Sequence, residues 1–226
     1  MTTTSSCATA QAGAMASSMA ATLLPFLMGD RLHAMKHFLL AVVFLFQLAA
    51  WAQPDAALLA ELRRGGYVLY IRHTSTDFGQ NDAKMTGYED CANQRNLTDK
   101  GRQEARAVGE HIKRLKIPVG RVLASPYCRT METARLAFGK AQPMQEARGG
   151  PARTDDPKRY DGLRKLLASQ PSPGTNTVIS SHGNPFHAVA GPPYLAEGEI
   201  AVVRSQGDSA FAVVGRIRLQ DWELLQ

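Results

Sequence analysis

From Pro54 onward the apolar positions of this chain switch repeatedly between helical spacing and short unbroken runs. Leu58, Leu59 and Leu62 recur at helical spacing between Pro54 and Arg64, and Gly65-Gly66 closes that segment as a C-cap does. Tyr67 to Ile71 is a continuous apolar run, the pattern of a strand buried on both faces. A polar stretch from Thr74 to Asn96 is too long for a tight connection, which marks it as functional. Thr98 is placed to cap a helix from Asp99 to about Leu115, with Ala105, Val108, Ile112 and Leu115 as its inner stripe. Val119 to Ala124 predicts a second strand. Ser125 as N-cap and Pro126 at the first helical position predict a helix with Met131, Ala134 and Phe138 facing inward. A short strand is expected near Met144, and Tyr160, Leu163, Leu166 and Leu167 mark a further helix. Thr177 to Ser180 is a third buried strand, leading to His182. Glu199–Arg204 and Phe211–Arg218 read as a hairpin joined through Gln206-Gly207-Asp208. Strands alternating with helices predict an α/β fold with a mostly parallel central sheet flanked by helices and a C-terminal β-hairpin.

The N-terminal part follows a different rule. Residues 1–34 are rich in Ala, Ser, Thr and Met without an amphipathic period. Met35-Lys36-His37 then leads into an apolar run that ends at Ala50-Trp51-Ala52. That order of basic start, apolar core and small residues is a secretory signal. The expectation is an over-long extension over 1–34, a signal peptide over 35–52 and one domain over 53–226, located in the periplasm or secreted. The apolar run is shorter than the roughly 20 residues of a membrane span, so no stable membrane insertion is expected after cleavage.

Composition adds little to this picture. The chain has 226 residues, 44% of them apolar and 20% charged, which suits one globular domain. Its formal charge of +6 comes from bases spread along the chain, and aromatic residues are only 7%. Neither feature suggests a nucleic-acid partner. Cys7 lies in the discarded segment, and Cys91 and Cys128 remain as an even pair. In an oxidising compartment such a pair reads as one disulfide.

Candidate chemistry gathers at two strand ends. Ligands of open α/β sheets bind beyond the carboxyl ends of the strands. Here one buried strand runs into Arg72-His73 and another into His182-Gly183. If those strands are parallel neighbours, the two imidazoles stand side by side. Arg129 lies in the first turn of the helix opened by Ser125-Pro126, where backbone N–H groups and the helix dipole favour an anion. A guanidinium there matches phosphate oxygens in bidentate fashion.

Arg72-His73-Thr74 resembles an Arg-His-Gly motif, and Leu97-Thr98-x-x-Gly101 a Leu-Thr-x-x-Gly helix start. Ser125-Pro126-x-x-Arg129-Thr130-x-x-Thr133-Ala134 and Ser181-His182-Gly183 complete the series. In this order the four pieces resemble the histidine phosphatase superfamily, also called phosphoglycerate-mutase-like. The resemblance implies that fold, and hydrolysis of a small phosphate monoester through a phosphohistidine on His73. It implies that Arg72, Arg129 and His182 clamp the phosphoryl oxygens, that Thr76 supplies a hydroxyl to the phosphate, and that no metal or other cofactor is needed. For the general acid, Met144-Gln145-Glu146 imitates the Leu-x-Glu of one branch of the family, making Glu146 the first candidate, with Asp77 and Asp90 as fallbacks. The family's other placement, an Asp after the second His, is filled by Gly183-Asn184. Thr74 in place of Gly is expected to narrow the pocket. The alternative is a non-catalytic phosphate-binding protein of the same fold that lacks an effective acid.

Overall fold

Leucines at helical spacing bury one stripe of the first helix, α1 (Ala56–Arg64), through Leu59 and Leu62. This is a computed structural model that describes residues 56–150, 156 and 158–225. All of these belong to the unit Gln53–Gln226. The expected extension 1–34 and signal peptide 35–52 lie outside the described residues. Gly65, at φ +82°, follows α1 where a Cβ would stand 2.5 Å from the Thr175 amide nitrogen. Only glycine fits that approach.

The apolar run then forms β1 (Tyr67–Arg72), followed by α2 (Asp99–Arg114), β2 (Val119–Ala124), α3 (Cys128–Phe138) and the two-residue β3 (Gln142–Pro143). Next come α4 (Asp161–Ala168), β4 (Asn176–Ser181), α5 (Gly183–Ala190), β5 (Ile200–Gly207) and β6 (Ala210–Ile217). The sheet order is β3-β2-β4-β1-β5-β6. Its first four strands are parallel, and β5 and β6 add an antiparallel edge beside β1. This is the expected α/β architecture.

Successive β1 side chains point to opposite faces, so the strand feeds two cores. Leu69 and Ile71 pack with Leu59, Leu62, Val108, Ile112 and Met131 on the side of α1, α2 and α3. Val68 and Tyr70 pack with Leu163, Leu167 and Phe186 on the side of α4 and α5. At the amino end of the parallel strands Asn176 locks the alignment. Its amide donates to the Leu62 and Pro118 carbonyls at 2.8 and 3.0 Å, and its oxygen accepts from the Tyr67 N–H at 3.1 Å.

Three local expectations are corrected. Helix α3 begins at Cys128 with Tyr127 as N-cap, not at Ser125-Pro126. Ser125 stays with the sheet because its N–H donates to the Ser180 carbonyl at 2.9 Å. The strand expected near Met144 is β3 at Gln142–Pro143, and a 3-10 turn, Gln145–Ala147, follows. The hairpin is longer than expected and turns through Asp208-Ser209, both at positive φ. A 3-10 segment, Leu219–Leu224, has no counterpart in the sequence pattern and buries Trp222.

The Leu-Thr-x-x-Gly motif has a packing explanation. Thr98 Oγ1 accepts from the Gly101 N–H at 3.0 Å and caps α2. The Thr98 N–H donates to the Ser75 carbonyl at 3.0 Å, seating the helix start against the loop that follows His73. A Cβ on Gly101 would lie 2.0 Å from that Ser75 oxygen. Gly101→Ala should therefore cost about 1–3 kcal/mol, the usual range for overpacking. Urea unfolding of the variant checks it, and a midpoint equal to wild type would overturn the close approach.

Candidate active site

The β1–β4 register pairs Arg72 with Ser181, and the His73 N–H continues it by donating to the Ser181 carbonyl at 2.9 Å. His73 and His182 are thus the next residues beyond two adjacent parallel strands. Their rings meet edge-on with centroids 5.5 Å apart, and both are buried. The Tyr70 hydroxyl, in the sheet beneath, donates to the His182 carbonyl at 2.8 Å. Gly183 follows because a Cβ there would lie 2.3 Å from the Tyr194 ring that covers it.

His73 Nδ1 stands 3.0 Å from the Thr74 carbonyl oxygen. A carbonyl only accepts, so Nδ1 carries the proton and Nε2 keeps its lone pair. Glu197 Oε1 lies 3.8 Å from the same Nδ1. Glu197 is held by the Thr76 hydroxyl at 2.7 Å and by Arg72 Nη2 at 3.5 Å. The adjacent Gly198 N–H donates to both the Arg72 and His73 carbonyls at 3.1 Å. His182 Nε2 and Ser125 Oγ form a hydrogen bond of 2.8 Å.

Arg129, in the first turn of α3, forks onto Asp82: Nη1 to Oδ1 at 2.9 Å and Nη2 to Oδ2 at 3.1 Å. Tyr127 lies under the guanidinium at 4.6 Å. Arg72 Nη1 donates to the Leu195 carbonyl at 2.7 Å. The threonines of the α3 motif hold this turn in place. Thr130 donates to the Ser125 carbonyl at 2.7 Å, and Thr133 donates to the Arg129 carbonyl at 2.8 Å.

A cavity of about 340 Å³ opens above these groups, lined by Arg72, His73, Arg95, Arg129 and His182 among others. Burial pushes His73 down to about 3, with Arg129, Arg72 and Arg95 acting in the same direction and the Thr74 carbonyl opposing. His182 is held well below the ordinary histidine value, first by burial and then by Arg129 and His73. Two neutral imidazoles ringed by three guanidiniums make an anion-binding pocket.

Of the predicted site residues, the structure brings together His73, Arg72, Arg129 and His182. It does not bring in Glu146. The 3-10 turn that carries Glu146 turns Ala147 inward, where the Ala147 carbonyl accepts from the Ser181 hydroxyl at 2.5 Å. Glu146 is left exposed, with its Cγ 2.6 Å from where a Cβ on Gly162 would stand. Asp77 is also exposed and caps the Gly79 N–H at 2.8 Å. Asp90 orders its own loop, accepting from Thr86 and Asn93, and those bonds hold its carboxyl below the usual range. Thr76 serves Glu197 and does not line the pocket. Thr74 does not narrow it either, because its hydroxyl turns to Thr133 at 3.3 Å. Asp82, Arg95, Ser125 and Glu197 were not legible as site residues. The single clue was Arg95, three residues before the Thr98 cap inside the long polar stretch.

Cys91 and Cys128 are bonded, with Cα atoms 5.7 Å apart. The bond ties the loop that carries Asp82 and Arg95 to the residue before Arg129. Among the described residues no group of three or more His, Cys, Asp or Glu side chains is placed to hold a metal ion.

An α/β sheet with paired histidines and arginines at its carboxyl edge defines an anion site. Residues 68–150 match the model of the histidine phosphatase superfamily (branch 1). Among similar solved structures is the protein histidine phosphatase SixA complexed with tungstate, at 19% identity and TM-score 0.48, covering 69% of this chain and 98% of the other. The phosphoserine phosphatase from Entamoeba histolytica in complex with 3-phosphoglyceric acid has 15% identity and TM-score 0.48, covering 69% and 98%. The putative phosphohistidine phosphatase SixA from Agrobacterium tumefaciens has 14% identity and TM-score 0.46, covering 68% and 98%. No curated protein matches the chain by sequence.

The disulfide closes a separation of 37 residues, worth about 4 kcal/mol in the chain-entropy account. Reduction should lower both the melting temperature and the affinity for inorganic phosphate, and thiol titration of unfolded, unreduced protein should find no free thiol at Cys91 or Cys128. Two reactive thiols there would refute the bond. The buried histidines set a pH dependence of stability. An unfolded histidine takes up a proton near 6.5, whereas native His73 does so only near 3. Unfolded chains therefore bind more protons across that window, so their stabilising contribution is complete above about 6.5 and is lost as pH falls toward 3. The urea midpoint should drop from pH 7 to pH 5, and His182→Asn should flatten the slope. An unchanged slope in the variant would show that His182 is not held neutral by the fold.

Proposed function

We propose that the protein is a phosphate-monoester hydrolase that works through a phosphohistidine on His73, in the bacterial envelope or outside the cell. The observation that carries this reading is the hydrogen bond of His73 Nδ1 to the Thr74 carbonyl, which leaves a neutral Nε2 beside a cationic cavity. In the first step Nε2 bonds to phosphorus as the bond to the ester oxygen breaks. In the second, water attacks the phosphohistidine and inorganic phosphate leaves. Splitting hydrolysis in this way replaces one difficult displacement with two easier ones. Arg72, Arg129 and His182 face the oxygens on which transition-state charge spreads. Counter-charge thus comes from side chains, and the reading requires no metal. The Thr74 carbonyl and the Glu197 carboxylate, both at Nδ1, stabilise the proton that remains on the ring as phosphorylation makes it more acidic.

The cavity volume suits a small phosphorylated substrate. Location outside the cytoplasm is supported by the Cys91–Cys128 bond, since such bonds persist in oxidising compartments. An exported enzyme would not meet glycolytic intermediates or cytoplasmic phosphoproteins, which disfavours mutase and phosphoprotein substrates. The second reading, a phosphate binder without turnover, is favoured by the outward position of Glu146. An aryl phosphate separates the two, because its leaving group hardly needs protonation: an enzyme hydrolyses it and a binder does not.

His73→Ala should abolish hydrolysis of every phosphate ester, and acid-labile phosphate trapped on wild type should be absent from the variant. Substantial turnover in His73→Ala would sink the nucleophile assignment. Arg129→Ala should retain some activity with raised KM and lowered kcat, because a clamp serves both ground and transition states.

A further inference from the structure

Only one carboxylate lines the cavity among the described residues, and it is Asp82. Both of its oxygens rest on the fork of Arg129, and Oδ1 also accepts from the Arg95 N–H at 2.9 Å. A carboxylate seated bidentately on a guanidinium occupies the place that two phosphoryl oxygens take in phosphate recognition. A bound phosphoryl group must therefore share that fork with Asp82 or displace it. Either way two anionic groups meet at contact distance, and like charges so close favour one proton held between them.

Burial fixes the direction of that proton. The His73 side chain is 1% exposed, whereas the Asp82 side chain is 30% exposed and is the more accessible of the two. In an in-line displacement the departing oxygen lies opposite the attacking Nε2. It therefore points away from buried His73, toward the more accessible part of the cavity that Asp82 lines. The loop bearing Asp82 is anchored without being part of the sheet, because the Cys91–Cys128 bond ties it to the start of α3.

We infer that Asp82 is the general acid of the reaction and that it holds the fork of Arg129 that a phosphate ester must share or take over. This assignment rests on the phosphohydrolase reading. In the first step the Nε2–P bond forms, the P–O bond to the alcohol breaks, and the Asp82 proton passes to the departing oxygen. In the second step water gives a proton to the Asp82 carboxylate as its oxygen bonds to phosphorus and the P–N bond breaks. The proton returns to where it began, so the cycle balances without a co-reactant.

The test compares Asp82→Asn and Asp82→Glu with wild type on a simple alkyl phosphate and on p-nitrophenyl phosphate. Asparagine keeps the shape and can still accept from Arg129, yet it cannot donate an acidic proton. Asp82→Asn should lose about 10²-fold or more of kcat on the alkyl ester and less than about tenfold on the aryl ester. It should also lose the basic limb of the alkyl-ester pH profile. Asp82→Glu should restore part of the alkyl activity. Acid-labile phosphate should still form on His73 in Asp82→Asn from the aryl ester, which shows that the variant is folded and its nucleophile intact. Equal losses on both esters would make Asp82 a positioning residue for Arg129 and overturn the assignment, as would full alkyl activity in Asp82→Asn. Wild type that turns over neither ester and traps no phosphate overturns the hydrolase reading, and the Asp82 assignment with it.

Discussion

Side-by-side burial of two imidazoles is the constraint on which the remaining site geometry depends. The parallel pairing of β1 with β4 sets it, since one register step beyond Arg72 and Ser181 there is no position except His73 beside His182. Asn176 secures that register from the far end of the strands by bonding three different backbone segments. Burial holds both imidazoles neutral. The same burial would make three nearby guanidiniums costly, because like charges out of water repel strongly. Glu197 and Asp82 divide that charge between them, one against Arg72 and the other against Arg129. The site is an alternation of cation and carboxylate around two uncharged rings.

The parts of this arrangement that were legible in the sequence are those that lie on regular elements. Unbroken apolar runs announce β1 and β4, so the residues that follow them, His73 and His182, can be located without a structure. Arg129 is within reach of the same argument because a helix start has a definite direction. The N-cap was misassigned because Ser125 had two uses for its backbone, the helix start and the sheet, and pairing with Ser180 prevailed. Glu146 shows a different failure. A Met-x-Glu pattern gives spacing but not the direction in which a 3-10 turn points its second residue. Asp82 and Arg95 lie in a segment with no period at all, so no face can be assigned to either. Glu197 reaches His73 only because β5 docks antiparallel on β1, a tertiary event with no local signature.

The glycines and threonines of the motifs have packing reasons independent of chemistry. Gly101 admits the Ser75 carbonyl, and Gly183 admits the Tyr194 ring. Thr133 joins Thr74, the neighbour of His73, to the backbone of Arg129, coupling the end of β1 to α3 through one hydroxyl. The motif pattern is therefore in large part a description of how closely the elements approach, with the pocket residues set into it.

The sheet order has a consequence for the sequence of events during synthesis. Strand β1 is among the first elements of the described chain, yet its partners are β4 on one flank and β5 on the other. As the chain emerges amino end first, β1 has no strand to pair with until residues 176–207 have followed. Early hairpins are ruled out, and most sheet contacts await late-arriving segments, which slows folding. A polypeptide built in this way stays open for most of its synthesis. The pairing that sets His73 beside His182 therefore forms only once nearly the whole chain has arrived.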